Sequence, residues 1–370
     1  IKTPVLAKFE TAAKKTGCRP YMIPAAIASE SYTTPDGMVH NPCMYCGFCE
    51  RFACEYDAKA QPTNTFVPVA EKTGKCDIRC RSNVVEILRK GDRVTGVRYV
   101  DTLTFEEFIQ PADVVVLTSF TMNNAKLLMV SGIGEQYDPK TGRGQLGRGF
   151  CYQITPGSTL FFPDPMNLFA GAGALGMCLD DYNADNFDHA DLDFIHGGVI
   201  SLTQTGKRPI ESNSVLPDTP GWGSKFKKDS AYNFNRTLGI GAQGASIAYR
   251  TNYLSLDDTY KDAYGLPLLR MTYNFTDQDR ALFAFVARKI EDIARAMNPK
   301  AVTSKPNAKD YNIVPYQTTH TTGGTITGTS PDNSVVNSYL QHWDAENLFV
   351  VGAGNFPHNG GCNPTGTVGA

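Results

Sequence analysis

His320-Thr-Thr-Gly-Gly-Thr325, Ser334-Val-Val-Asn337, Glu346-Asn-Leu-Phe-Val-Val-Gly352, Asn355-Phe-Pro357 and Asn363-Pro-Thr365 follow one another near the C-terminal end of the chain. Within this stretch Asn347–Val351 reads as a short, unbroken apolar strand running into Gly352-Ala-Gly354. A strand of that kind belongs in a parallel sheet covered on its faces. The glycines after it let a backbone approach a flat ligand closely. Asn363-Pro then opens a helix, whose N-terminal end favours negative charge.

Upstream, Asp113–Leu117 is a second continuous apolar run, and it leads into a helix over Asn123–Val130 that ends in Ser131-Gly-Ile-Gly134. Before it, Cys76–Leu88 and Arg93–Val100 alternate apolar and polar residues around Lys90-Gly91-Asp92, which predicts a β-hairpin. Residues 3–17 predict a helix with Val5, Leu6, Phe9, Ala12 and Ala13 on one face and Gly17 as its stop. Between them runs a Pro-, Ser-, Thr- and Gly-rich loop, Arg19–Gln61.

From about Phe150 to Asn312 the texture changes to short aromatic and β-branched runs separated by turn residues. One helix interrupts them. Thr276 with Asp279 three residues on is a capping box, and Leu282, Phe283, Val286, Ile290, Ile293 and Met297 form one stripe before Asn298-Pro299. Two α/β blocks flanking a mixed β block predict an α/β chain, α+β overall. Its Rossmann-like nucleotide domain is discontinuous, 1–150 and 313–370, with a mixed-sheet substrate domain inserted at 151–312.

Composition narrows the partners. A formal charge of −2 gives no reason to expect nucleic acid or an anionic membrane surface. No apolar run approaches the roughly 18 residues of a membrane helix, so membrane association is expected only through another chain. The chain opens at Ile1 without Met and closes in what reads as the first turn of a helix, so sequence is expected to be missing on both sides.

Two stretches match G-x-G-x-x-G, Gly171–Gly176 and Gly239–Gly244. A dinucleotide fingerprint needs a strand before it and a helix opening at its last glycine. Met177-Cys-Leu-Asp-Asp is poor helix material and Ser246-Ile-Ala-Tyr reads as strand, so both are expected to be decoys. Asp181-Tyr-Asn183-Ala-Asp185 starts like a calcium loop, yet Asn186 and Leu192 stand where that loop needs Gly and Glu. A solvated acidic loop is the better reading.

Ten cysteines are unevenly placed. Cys18, Cys76, Cys80, Cys151, Cys178 and Cys362 are scattered and expected to be buried small residues. Cys43, Cys46, Cys49 and Cys54 are packed into one short run, two C-x-x-C steps sharing their middle member. Zinc commonly takes two separated pairs, whereas closely spaced cysteines on one loop suit an iron–sulfur cluster. Zinc and a loop of uncoordinated thiols are the alternatives. A disulfide framework does not fit a chain of this size.

The C-terminal order His-x-x-Gly, Ser-Val-Val-Asn, Asn-Leu-Phe-Val-Val-Gly, Phe-Pro and Asn-Pro-Thr resembles the signature of the glucose–methanol–choline (GMC) oxidoreductases. Leu127–Gly134 is similar to the tail of that family's second signature, although Phe120, Asn124 and Ala125 depart from the pattern upstream. Leu146-Gly-Arg-Gly149 resembles the exit from the flavin domain, and Arg81–Ile87 the strand that meets the adenine through Val84. The likeness extends over nearly the whole chain. Within the family, the cysteine run, Gly171–Gly176 and Asn186-Phe-Asp-His189 resemble the large subunits of bacterial gluconate, fructose and sorbitol dehydrogenases.

The resemblance implies an FAD-binding domain, incomplete here because the first glycine fingerprint is expected upstream of Ile1. It implies FAD contacts at Val84, Gly352, Ala353, Asn355, Phe356, Asn363, Pro364 and Thr365. His320 would take the proton of a sugar, sugar-acid or polyol alcohol, with Asn363 hydrogen-bonded to its oxygen; His358 is the local rival for base. It also implies a cluster of the 3Fe–4S or 4Fe–4S kind at Cys43, Cys46, Cys49 and Cys54, though relatives with such a cluster space their cysteines differently. Electrons would pass to a cytochrome c subunit or a quinone, with a small subunit alongside, at the periplasmic face of the bacterial inner membrane. Two other classes stay open: an oxygen-using alcohol oxidase with a structural cysteine loop, and a non-catalytic thiol-rich module, which an absent flavin spectrum would indicate.

Overall fold

The computed structural model describes residues 2–49, 52–168, 170–172, 175–204, 214–314 and 319–369. The chain folds into two compact units. One comprises residues 1–78, 155–244 and 280–308, the other 79–154, 245–279 and 309–370.

The first unit is built on an antiparallel sheet that, among the described residues, has six strands. Their order is Tyr21–Met22, Gly176–Leu179, Gly198–Thr203, Thr237–Gly244, Gly157–Phe161 and Ala301–Ser304. The N-terminal helix Pro4–Lys15 starts where Thr3 accepts the Leu6 amide and buries Val5, Leu6, Phe9, Ala12 and Ala13. These are the residues its periodicity selects. Packing therefore groups the first 78 residues with this sheet, a division different from the three segments read from sequence texture. The cause is local: Met22 and Tyr21 pair with Met177 and Cys178, so the chain start is hydrogen-bonded into the sheet.

Both glycine-rich stretches fall in this sheet. Gly176 begins a strand and Gly239–Gly244 lies inside another, so neither opens a helix. Gly173 lies outside the described residues. The calcium-like segment forms a turn, Ala184–Asn186, and Asp181 binds the Arg19 amide and guanidinium at 3.0 and 3.1 Å.

The second unit holds a three-stranded antiparallel sheet, Ser82–Lys90, Arg93–Asp101 and Glu107–Pro111. The hairpin closes at Lys90–Arg93, with Gly91 at φ 64° as the tight turn requires. Its first strand begins later than expected, because Arg81 sits at φ 59° and breaks the extended run. Cys76 and Cys80 precede that break and are exposed, so the expectation of burial fails for them. Cys18, Cys151 and Cys178 are buried and Cys362 is half-buried, with no disulfide among the cysteines.

Leu348–Val350 pairs in parallel with Val115–Leu117. Val115, Leu117, Leu348 and Val350 enter a core with Ala125, Leu128 and Met129 of the helix Thr121–Val130. Val114 and Val116 are 54% and 56% exposed. The run Asp113–Leu117 is thus buried on one face only, because the described residues cover only that face. The helix Asp277–Ala296 has the expected capping box: Thr276 and Asp279 exchange bonds of 2.9 and 3.3 Å, and Leu282, Phe283, Val286, Ile290, Ile293 and Met297 are buried.

Candidate active site

His320 stands at the entry of a two-residue strand, Thr321–Thr322, paired antiparallel with Cys151–Tyr152. Gly323 follows at φ 81°, and a Cβ there would lie 2.0 Å from the Gly149 carbonyl oxygen. Only glycine fits that crossing. His320 itself is at φ 62°, a left-handed conformation that costs a non-glycine residue about 1–2 kcal/mol. Two buried side chains hold the strained segment: Thr121 Oγ1 donates to the Thr321 carbonyl at 3.0 Å, and the Asn359 amide donates to the His320 carbonyl.

His320 lines a cavity of about 320 Å³. Its wall also includes Thr321, Gly352, Ala353, Asn359 and Pro364. The half-buried imidazole has its pKa lowered by desolvation, which keeps the ring neutral and able to accept a proton near neutral pH. Gly352 is at φ 124°, and a Cβ built on it meets no atom within 4 Å. Thr321 Oγ1 is buried without a hydrogen-bond partner. A bare backbone edge beside an unsatisfied hydroxyl fits the rim of a flat, polar-edged ring such as an isoalloxazine.

Of the residues singled out from sequence, the structure brings His320, Gly352, Ala353 and Pro364 to this cavity. Asn363 and Thr365 are exposed neighbours of Pro364 and lie outside its lining, at the start of a single helical turn, Thr365–Gly369. Asn355 is buried, donates to the Thr325 carbonyl at 3.0 Å and lies outside the cavity lining. Phe356 is half-buried outside the cavity lining, and Val84 is exposed in the strand Ser82–Lys90. His358 is exposed, paired with Ile247, and does not line the cavity. Asn359 and Thr121 went unnoticed in the sequence and Phe120 stood out only as a departure from the family pattern, yet all three line the cavity. The only local signal was Asn359 lying against Gly360-Gly361, where a polar residue next to a turn draws no notice.

The cysteine loop surrounds a separate cavity of about 270 Å³, lined by Cys43, Cys46, Cys49 and Cys54. The Cys54 thiol is pulled up by burial, but backbone N–H groups of Lys59, Tyr56 and Ala58, with the Lys59 charge, bring its pKa below the ordinary value. Lys59 Nζ closes the loop on the Cys49 and Phe52 carbonyls at 2.8 and 3.0 Å. The Tyr45 amide donates to Cys43 Sγ at 3.4 Å. Even so, among the described residues no three Cys, His, Asp or Glu side chains stand close enough to hold a metal ion. The expected convergence of four thiolates on one centre is not found. Backbone bonds from Cys43 to Ala28 and from Gly47 to Gly171 anchor the loop that carries the thiols. Glu50 and Arg51 lie outside the described residues.

Residues 22–154 and 248–370 match the two profiles of the GMC oxidoreductases. The chain belongs to that family, with its FAD-binding type of fold. It is 41% identical over 98% of its length to the gluconate 2-dehydrogenase flavoprotein of Pantoea cypripedii, covering 60% of that protein. It is 28% identical over 84% of its length to the 2-methyl-1,2-propanediol dehydrogenase of Mycolicibacterium austroafricanum, covering 55%. The chain thus spans little more than half the length of these relatives. Among solved structures, formate oxidase of Aspergillus oryzae superposes with a TM-score of 0.60 at 14% identity, over 99% of this chain and 68% of the other.

Proposed function

We propose that this chain carries the alcohol-oxidising site of an FAD-dependent dehydrogenase acting on a secondary CH–OH group of a sugar, sugar acid or polyol, gluconate being the first substrate to test. The observation that carries this reading is the cavity in which neutral His320 shares a wall with the bare Gly352 edge and the unpartnered Thr321 hydroxyl. The likeness to a gluconate 2-dehydrogenase flavoprotein supports it. FAD, when bound, supplies at N5 the acceptor for the carbinol hydride. His320 accepts the hydroxyl proton on a ring nitrogen, and the product is a ketone. Asn363, next to Pro364 of the cavity wall, hydrogen-bonds the substrate oxygen as charge develops on it. Ala353, Asn355, Phe356, Thr365 and Val84 complete the proposed cofactor contacts.

The test is stopped-flow flavin reduction in the holoenzyme, with flavin content measured first. His320→Ala is expected to slow reduction by about 10²–10⁴-fold. His358→Ala is expected to leave the rate within a small factor. The reverse pattern would hand the proton to His358 and sink the assignment.

For the thiol cavity we propose an iron–sulfur cluster relaying electrons to a cytochrome c subunit or a quinone, with a small subunit alongside, at the periplasmic face of a bacterial inner membrane. Membrane attachment would come through a partner; no helix among the described residues is long and apolar enough to cross a membrane. Four thiols on one cavity and the N–H groups directed at Cys54 support the cluster. The second reading is an oxygen-using oxidase in which the Lys59 bonds to the Cys49 and Phe52 carbonyls make the cysteine loop a structural one. Iron and acid-labile sulfide decide between them.

A further inference from the structure

We propose that Asn359 is the positioning residue that locks the His320 backbone in its left-handed conformation and so holds the imidazole in the cavity. That role for the ring rests on the proposed function; the backbone lock itself does not.

The observations converge on one contact. His320 is a non-glycine residue at φ 62°, and such strain persists only where surrounding structure over-determines it. Its carbonyl oxygen receives the Asn359 side-chain amide, a bond between residues 39 apart in sequence. Asn359 is 2% exposed and belongs to the pair His358–Asn359 with Ser246–Ile247, so its backbone is held independently of His320. The following loop is clamped as well: Gln153 Nε2 donates to the Gly360 and Cys362 carbonyls at 3.3 and 3.2 Å. One residue downstream, Thr121 fixes the Thr321 carbonyl. His320 is therefore the strained residue between a donor on its own carbonyl and a second donor on the next. Asn359 also lines the cavity that His320 enters. A side chain with a rigid planar donor, anchored on a separate strand pair, is what keeps such a peptide from relaxing to an ordinary conformation.

The test starts with the native protein. The Asn359 side-chain amide should show protons protected from solvent exchange and a through-bond coupling to the His320 carbonyl carbon in selectively labelled samples. Rapid exchange and no coupling would overturn the proposal without any variant. Asn359→Asp keeps the size and replaces the donor by an acceptor; Asn359→Ala removes both. In either, the His320 ring should titrate closer to its ordinary value as it leaves the cavity, and amide exchange at 320–322 should quicken by on the order of tenfold or more. In the holoenzyme kcat should fall more than KM rises. A folded Asn359→Asp protein with unchanged His320 titration and exchange refutes the lock. Failure of His320→Ala to slow flavin reduction would instead refute the base while leaving this backbone result standing.

Discussion

Asn347 and Val94 exchange two hydrogen bonds: the Asn347 side-chain Oδ1 accepts the Val94 amide, and its Nδ2 donates to the Val94 carbonyl, both at 2.9 Å. The same Nδ2 also donates to Asp113 O at 2.6 Å. One buried amide thus ties the hairpin strand to both members of the parallel pair, just where Val115 takes the Asn347 carbonyl at 3.0 Å. Asn347→Ala leaves three backbone groups without partners at a nearly dry position. It is expected to lower stability by about 3 kcal/mol, read as a shift in the urea midpoint at constant slope. A shift within experimental scatter would mean water replaces the amide.

His342 makes the stability depend on pH. It is 3% exposed, Asp344 N donates to its Nδ1 at 3.0 Å, and its Nε2 has no partner. Burial lowers its pKa from 6.5 to about 4, with Asp344 opposing and Arg89 reinforcing the shift. The unfolded chain therefore binds the extra proton first as pH falls. Stability from this residue is present above pH 6.5 and is lost down to about pH 4, about 3 kcal/mol in all. His342→Gln should flatten that limb relative to the parent protein in denaturation curves between these pH values. Parallel curves would show that other groups set the acid limb.

Glycines 323 and 352 should respond differently to alanine. Gly323→Ala drives a Cβ into the Gly149 carbonyl at 2.0 Å, so little folded protein is expected. Gly352→Ala meets open space and bears only the cost of its φ of 124°, about 1–3 kcal/mol. The added methyl enters the His320 cavity, so weakened flavin retention in a folded protein is the expected result. Undiminished flavin content would remove Gly352 from the cofactor rim.

Cys46→Ser and Cys49→Ser distinguish the two readings of the thiol cavity. With a cluster, iron and sulfide content and reduction of cytochrome c fall together, while reduction of flavin by substrate persists. With a structural loop all three stay at the parent level, and oxygen consumption continues.

The chain's local elements were legible in its sequence. Helix Pro4–Lys15, the hairpin at Gly91, the Thr276–Asp279 box and the apolar runs at Val115 and Leu348 each rest on propensity, capping or periodicity within a short window. Both decoy glycine stretches were legible for the same reason: a phosphate loop needs a helix immediately after it, and the neighbouring residues refuse one. Less legible was burial at single positions. Val114, Val116, Cys76 and Cys80 are exposed although their residue types favour the interior, because burial depends on what else arrives at that face.

Which residues share a site was decided only by the tertiary structure. His320 and Gly352 line one cavity while Asn363 stands outside it, and four cysteines spaced for a metal ring a cavity without closing on a centre. These outcomes hang on bonds between distant parts of the chain: Thr121 to Thr321, Asn359 to His320, Gly47 to Gly171. Spacing along a sequence specifies which side chains can reach one another within a turn or a strand. The direction in which a loop presents them is set by the backbone groups it must satisfy elsewhere, and those partners are chosen by the fold.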